Sequence, residues 1–187
     1  MNEITKKLKL PEGNFEIKVL TFDESDRIKL KNIYKRWRSL CNDLAKLKAR
    51  SVNLPEGLSE SAFCLEMGFL RVLDSIPGAN SSWDCYDPIK NERIQVKACS
   101  ILPDLTSFGP DSVWDKIYFA DFYRQGAWDG SFDLYLIDNN DIYNHKVNKK
   151  QTLRDQQKQG KRPRFSIYSG IIQSKKLSPF KTGNLNV

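Results

Sequence analysis

Between residues 26 and 50 the apolar positions Leu30, Ile33, Tyr34, Trp37, Leu40, Cys41, Leu44 and Leu47 recur at three- and four-residue spacing. Lys31, Lys35, Arg38 and Lys46 fall between them, so the pattern predicts an amphipathic helix with Asp23 or Ser25 as its cap. Before it, a strand is expected over 15–22. The connector Asn53-Leu-Pro-Glu-Gly57 leads to a second helix, capped by Ser59 and running to about Asp74, with Phe63, Met67, Leu70 and Leu73 inward. Pro77-Gly78 ends that helix. Two β-type runs follow, 81–86 and 93–100, and the Asp-Pro-Ile-Lys-Asn-Glu between them reads as the turn of a hairpin. After the break at Phe108-Gly-Pro110, the aromatic-rich stretch 111–125 is expected to be a helix. Strands are expected over 132–138 and 164–172. The predicted fold class is α/β, with a central mixed sheet flanked by helices.

The hairpin is where pattern meets chemistry. With its turn centred on Ile89-Lys90, paired positions sum to 179 and Asp84 stands opposite Gln95 on one face. Lys97 shares that face, while Cys85, Ile94 and Val96 fill the other as a core requires. Asp87 points the opposite way, against Glu92, and reads as a turn residue. A one-residue slip would bury the polar trio, so the hydrophobic pattern fixes the register. A carboxylate, an amide oxygen and an ammonium within reach of one another suit phosphodiester hydrolysis. Asp84 and the Gln95 oxygen could hold a hard cation such as Mg²⁺, and Lys97 could orient water and offset negative charge. Taken alone, the spacing also fits an ordinary hairpin with one polar face.

Charge changes the picture. The chain of 187 residues carries a net +7, but residues 51–145 carry −9 between flanks of +6 and +10. Carboxylates for a metal between basic arms for phosphate would produce that distribution. The segment 146–164 holds Lys146, Lys149, Lys150, Arg154, Lys158, Lys161, Arg162 and Arg164 against only Asp155, with Asn148, Gln151, Gln156, Gln157 and Gln159 interleaved. Such side chains neutralise phosphates and read base edges in the major groove, so double-stranded DNA is the expected partner. The DNA-binding candidates are Lys149, Lys150, Arg154, Lys158, Lys161, Arg162 and Arg164, and a solvated basic loop is the alternative reading.

Composition excludes other chemistries. The four cysteines form no CxxC pair, and His145 is the lone histidine, which disfavours zinc and HNH-type sites. No Walker A, G-x-S-x-G or G-x-G-x-x-G motif occurs. No apolar run is long enough to span a membrane, so a soluble cytoplasmic protein is expected.

The arrangement Asp84…Gln95-Val-Lys97 resembles the active site of PD-(D/E)xK nucleases in which Gln replaces the second acid. Leu54-Pro-Glu-Gly-Leu-Ser-Glu60, Arg93-Ile-Gln-Val-Lys-Ala98, Thr106-Ser-Phe-Gly-Pro110, Trp114-Asp115, Tyr118-Phe-Ala-Asp-Phe122 and Gly160-Lys-Arg-Pro-Arg-Phe165 are similar to small type II restriction endonucleases that recognise GCNGC. The likeness covers roughly residues 50–170. It implies a restriction-endonuclease-like core, Mg²⁺-dependent hydrolysis of duplex DNA leaving 5′-phosphates, and a further acid from the helix before the hairpin. Glu60 matches that acid; Glu66, nearer the middle of the helix's apolar arc, is the competitor. Pro103-Asp104 is a decoy, because it follows the lysine. The expected layout is one nuclease domain over 1–187: a helical part at 1–50, a catalytic core at 51–138, and a basic DNA-recognition segment with a C-terminal strand at 139–187. A homodimer would cut both strands of a symmetric site, and a cognate DNA methyltransferase would be its genetic partner. A junction-resolving or nicking nuclease of the same fold and a non-enzymatic DNA-binding regulator remain open at this point.

Overall fold

A computed structural model of the chain describes residues 1–80 and 82–185. Ser81, the first residue of the predicted 81–86 strand, lies outside them. In chain order the elements are β1 (Asn2–Leu10), β2 (Gly13–Thr21), α1 (Asp26–Lys46), α2 (Glu56–Met67), β3 (Leu70–Val72), β4 (Cys85–Asp87), β5 (Glu92–Cys99), β6 (Thr106–Ser107), β7 (Lys116–Asp121), β8 (Ser131–Ile137), α3 (Asn139–Tyr143), α4 (Leu153–Gln157), β9 (Arg164–Phe165) and β10 (Lys181–Asn184). Eight strands form one sheet in the order β1-β2-β3-β4-β5-β7-β8-β10, and β6 pairs with β9 in a separate ribbon. Only β5 and β7 run parallel in the main sheet. The α/β architecture with a central mixed sheet and flanking helices is the expected one.

Alternation decides which face each strand gives to which layer. Cys85, Ile94, Val96, Tyr118, Ala120, Phe132 and Leu134 pack under α1 and α2. On the opposite face Cys99, Ile117, Phe119, Tyr135 and Ile137 pack under Phe108, Trp114 and the chain from Ile142 to Ile172. Leu8, Leu10, Ile17, Val19, Leu70 and Tyr86 close a third cluster with Ile76 and Trp83.

Five expectations are corrected. Residues 1–50 are not simply helical: β1 and β2 form a hairpin, with β1 an edge strand exposed except at Leu8 and Leu10. The second helix stops at Met67, because Gly68 adopts φ 70° and the apolar run continues as β3. Ser59 does not cap it; Pro55 holds the N-cap position, and the Ser59 hydroxyl donates to the Glu56 carbonyl at 3.0 Å. The stretch 111–125 is not a helix but contains β7, whose residues from Ile117 to Asp121 are all buried. A central parallel strand is covered on both faces, and its continuous apolar run imitates a buried helix. Finally, 164–172 forms only the two-residue β9 before a π-helical turn at Tyr168–Gln173. Buried Asp104 bends the chain there, accepting from the Ile167 and Tyr168 amides at 2.9 and 3.2 Å and from the Ser166 hydroxyl. The Pro-Asp decoy therefore has a structural occupation, and the C-terminal strand is β10.

Candidate active site

The hairpin has the anticipated register: Cys85 pairs with Ile94, Tyr86 with Arg93 and Asp87 with Glu92. Asp87 accepts from the Ile89 and Lys90 amides and holds the turn. Asp84 sits where β4 begins. Its amide donates to the Ile94 carbonyl at 3.0 Å, and its carbonyl accepts from the Val72 amide at 3.0 Å. The backbone is thus fixed between β3 and β5. Its carboxylate accepts from the Val96 amide at 2.8 Å, completing the ladder where the strands part.

Gln95 is buried and turns its amide nitrogen, not its oxygen, toward the Asp84 carboxylate. An ion between them would need the amide rotated end for end, which a glutamine can do without moving its backbone. Lys97 is half-buried; its Nζ lies 6.0 Å from the Phe108 ring centroid, and its charge acts on Asp84.

α2 brings a carboxylate beside the hairpin. Cys64 on α2 and Cys85 on β4 are buried with their sulfurs 3.3 Å apart, which fixes the helix against the strand beside Asp84. One turn earlier, Glu60 accepts from Arg71 Nε at 2.7 Å. Burial and the nearby Asp84 charge push the Glu60 carboxyl up to about 7, although Arg71 opposes them. Burial also raises Asp84, against Lys97, the Val96 amide and Arg71. Glu66 is engaged elsewhere, paired with Arg27 of α1 and with Lys181 of β10. Of the two acids left open by the sequence, Glu60 is the one that feels Asp84.

The Asp84 and Glu60 carboxylates and the Gln95 amide oxygen are the oxygen donors here, with Lys97 and Arg71 as neighbouring cations and no imidazole among them. Among the described residues no three His, Cys, Asp or Glu form a closed metal cage. Mg²⁺ asks for less, keeping several waters and taking one or two carboxylates with substrate phosphates. The residues present fit such an ion. Arg71 escaped the sequence reading because its run was assigned to the helix; its signal was a lone cation in the apolar Phe69-Leu-Arg-Val72.

The basic segment adjoins this site through aromatic packing. Phe108, beside Lys97, stacks on Phe165 of β9 with ring centroids 5.5 Å apart. The Phe108 amide donates to the Pro163 carbonyl at 3.0 Å, and Ser107 pairs with Arg164. Lys149, Lys150, Arg154, Lys158, Lys161, Arg162 and Arg164 are all exposed. Asp155, the segment's only acid, is held in a capping box with Thr152 that starts α4. Arg154 lies over the Tyr143 ring at 4.7 Å. Several interleaved amides hold the fold: Asn148 accepts from the Lys150 and Gln151 amides, and Gln157 donates to the Gly109 carbonyl at 2.6 Å. His145 stacks on Phe165 at 3.9 Å, and burial lowers its pKa, so its role is packing.

Among the described residues no helix is long and apolar enough to cross a membrane. The family described as Bsp6I restriction endonuclease matches residues 22–174. The type II restriction enzyme Bsp6I of Bacillus sp. (strain RFL6) is 34% identical over 149 residues, spanning 78% of this chain and 80% of that enzyme. No solved structure matches the chain.

Proposed function

Since the chain belongs to the Bsp6I restriction endonuclease family and is thus a type II restriction enzyme, we propose that it hydrolyses duplex DNA at GCNGC with Mg²⁺, leaving 5′-phosphates. The observation that carries this reading is the meeting of Asp84, Gln95, Lys97 and Glu60 at the opening between β4 and β5. Type II restriction enzymes in general use divalent metal ions. In this reading Asp84 and the Gln95 amide oxygen would hold the cation, which when bound supplies positive charge for the phosphorane-like transition state and acidifies water.

The remaining chemistry belongs to the chain. Lys97 places an ammonium beside Asp84, where it can donate to a phosphate oxygen or to the attacking water and offset the charge that develops. Glu60, whose carboxyl is held near neutrality, can accept a proton from that water. Arg71 holds Glu60 at 2.7 Å and keeps the paired carboxylates from driving the site apart. The exposed bases from Lys149 to Arg164 neutralise phosphates, and Arg154, Arg162 or Arg164 donates to guanine. The whole chain acts as one nuclease domain and, on a palindrome, as a two-fold dimer.

Digestion of plasmid DNA by purified protein with Mg²⁺ tests the reading. Discrete fragments ending at GCNGC are expected, and EDTA should abolish them. Nicked circles alone, or cleavage confined to branched DNA, would replace restriction with a nicking or junction-resolving activity.

A further inference from the structure

α1 carries more apolar surface than the fold uses. Leu30, Tyr34, Trp37 and Cys41 are buried beneath it. Ile33 and Leu40 on the helix and Leu47 at its C-cap face outward, 41%, 49% and 76% exposed, with half-buried Leu44 among them. At about 100° per residue these four occupy a strip roughly 60° wide beside the buried arc. Single exposed leucines are ordinary, but a continuous apolar strip marks a contact surface.

The strip is symmetric about its middle. Ile33 and Leu47 each stand seven residues from Leu40, about two turns away along the helix. On its outer rim Arg36 and Asp43 are placed almost evenly about the same point, and both are exposed. Lys31 and Lys35 lie round the opposite side of the helix. A two-fold interface requires such self-complementarity, because each copy presents the same patch. An apolar strip offers nothing to DNA phosphates, which need cations.

We propose that this strip is where two copies of the chain join, with their α1 helices antiparallel and crossing at Leu40. Leu40 then packs on its own mate, and Ile33 lies against the partner's Leu47. Arg36 reaches the partner's Asp43, whose side chain within one chain makes an exposed pair with Lys46 at 2.9 Å. The need for a dimer rests on the restriction reading above; the surface itself rests on α1.

Sedimentation of the full chain at micromolar concentration, with and without a GCAGC duplex, tests it. Wild type should be dimeric. Leu40→Glu puts like charges across the axis and should raise the dimer Kd about 100-fold or more, with an unchanged circular dichroism spectrum. The four native cysteines are buried, so Leu40→Cys adds an accessible thiol at the axis. A short bis-maleimide should link two such chains, but not Lys35→Cys chains. A wild type that stays monomeric even on DNA, a dimeric Leu40→Glu, or equal linking of the two cysteine variants would overturn the interface. Failure of the nuclease reading looks different: the chain dimerises through α1 and cuts nothing.

Discussion

Asp84 and Gln95 are enclosed by backbone amides, a neighbouring strand and a helix, whereas Arg162 and Arg164 are held only from beneath. At the hairpin a candidate catalytic group is itself part of the ladder, since the Asp84 carboxylate completes the pairing of the Val96 amide. Around the β6–β9 ribbon the candidate recognition side chains Arg162 and Arg164 are exposed, and buried Pro163, Phe165 and Phe108 form the support. Chemistry on a phosphate tolerates little misplacement and needs exclusion of water, so its groups are built in. Recognition needs side chains free to meet a groove, so structure and function divide between different residues there. The two regions should therefore answer mutation differently: mixed effects at the hairpin, separable effects on the ribbon.

The largest expected effect is at Lys97, whose side chain makes no hydrogen bond to the described residues. Lys97→Ala should slow single-turnover cleavage by about 10³-fold. Binding to a GCNGC duplex, read by fluorescence anisotropy without Mg²⁺, should stay near wild type. Wild-type cleavage by this variant would remove Lys97 from the chemistry. Asp84→Ala should behave differently, losing cleavage and also stability, because the Val96 amide loses its acceptor at a cost of about 1–3 kcal/mol. Equal stability of the Lys97 and Asp84 variants in urea would erase the proposed contrast.

Support can be separated from recognition on the ribbon. Phe165 stacks on both Phe108 and His145, so Phe165→Ala should cost about 3 kcal/mol in denaturant unfolding. Arg162→Ala and Arg164→Ala should leave the melting temperature unchanged. Each should weaken binding to the GCNGC duplex by about 1–3 kcal/mol. If the loss is the same on random duplex, these arginines touch phosphate and read no base.

The same difference governs what the sequence discloses. The hairpin was legible because two constraints act on it at once: alternation fixes the face of Asp84, Gln95 and Lys97, and the turn residues fix the register. The exposed bases of the ribbon were legible as charge, but their path was not. Asp104 bends the chain at Ser166 from sixty-two residues away, and no local pattern announces that contact. β7 was hidden by burial on both faces, and β3 by its continuity with the apolar arc of α2. Arg71 disappeared with β3. The α1 arc misled in another way, because its period is right for a helix, yet Ile33, Leu40 and Leu47 stay exposed among the described residues.

The smallest predicted effect tests how closely Glu60 belongs to the hairpin. Its carboxyl titrates near 7 in the folded chain against an ordinary value of 4.5, chiefly through burial and then through the charge of Asp84. The folded state holds this proton more tightly than the unfolded state. The Glu60 contribution to stability should therefore be full below about 4.5, decline as pH rises toward 7, and be lost above it. Melting temperatures across that window should show the decline in wild type and a flatter limb in Glu60→Gln. Asp84→Asn should shrink the decline by a smaller amount, because it removes the charge but leaves the burial. An Asp84→Asn profile identical to wild type would mean that Glu60 responds to burial alone. Glu60 would then belong to α2 and its Arg71 pair, with no electrostatic share in the hairpin site.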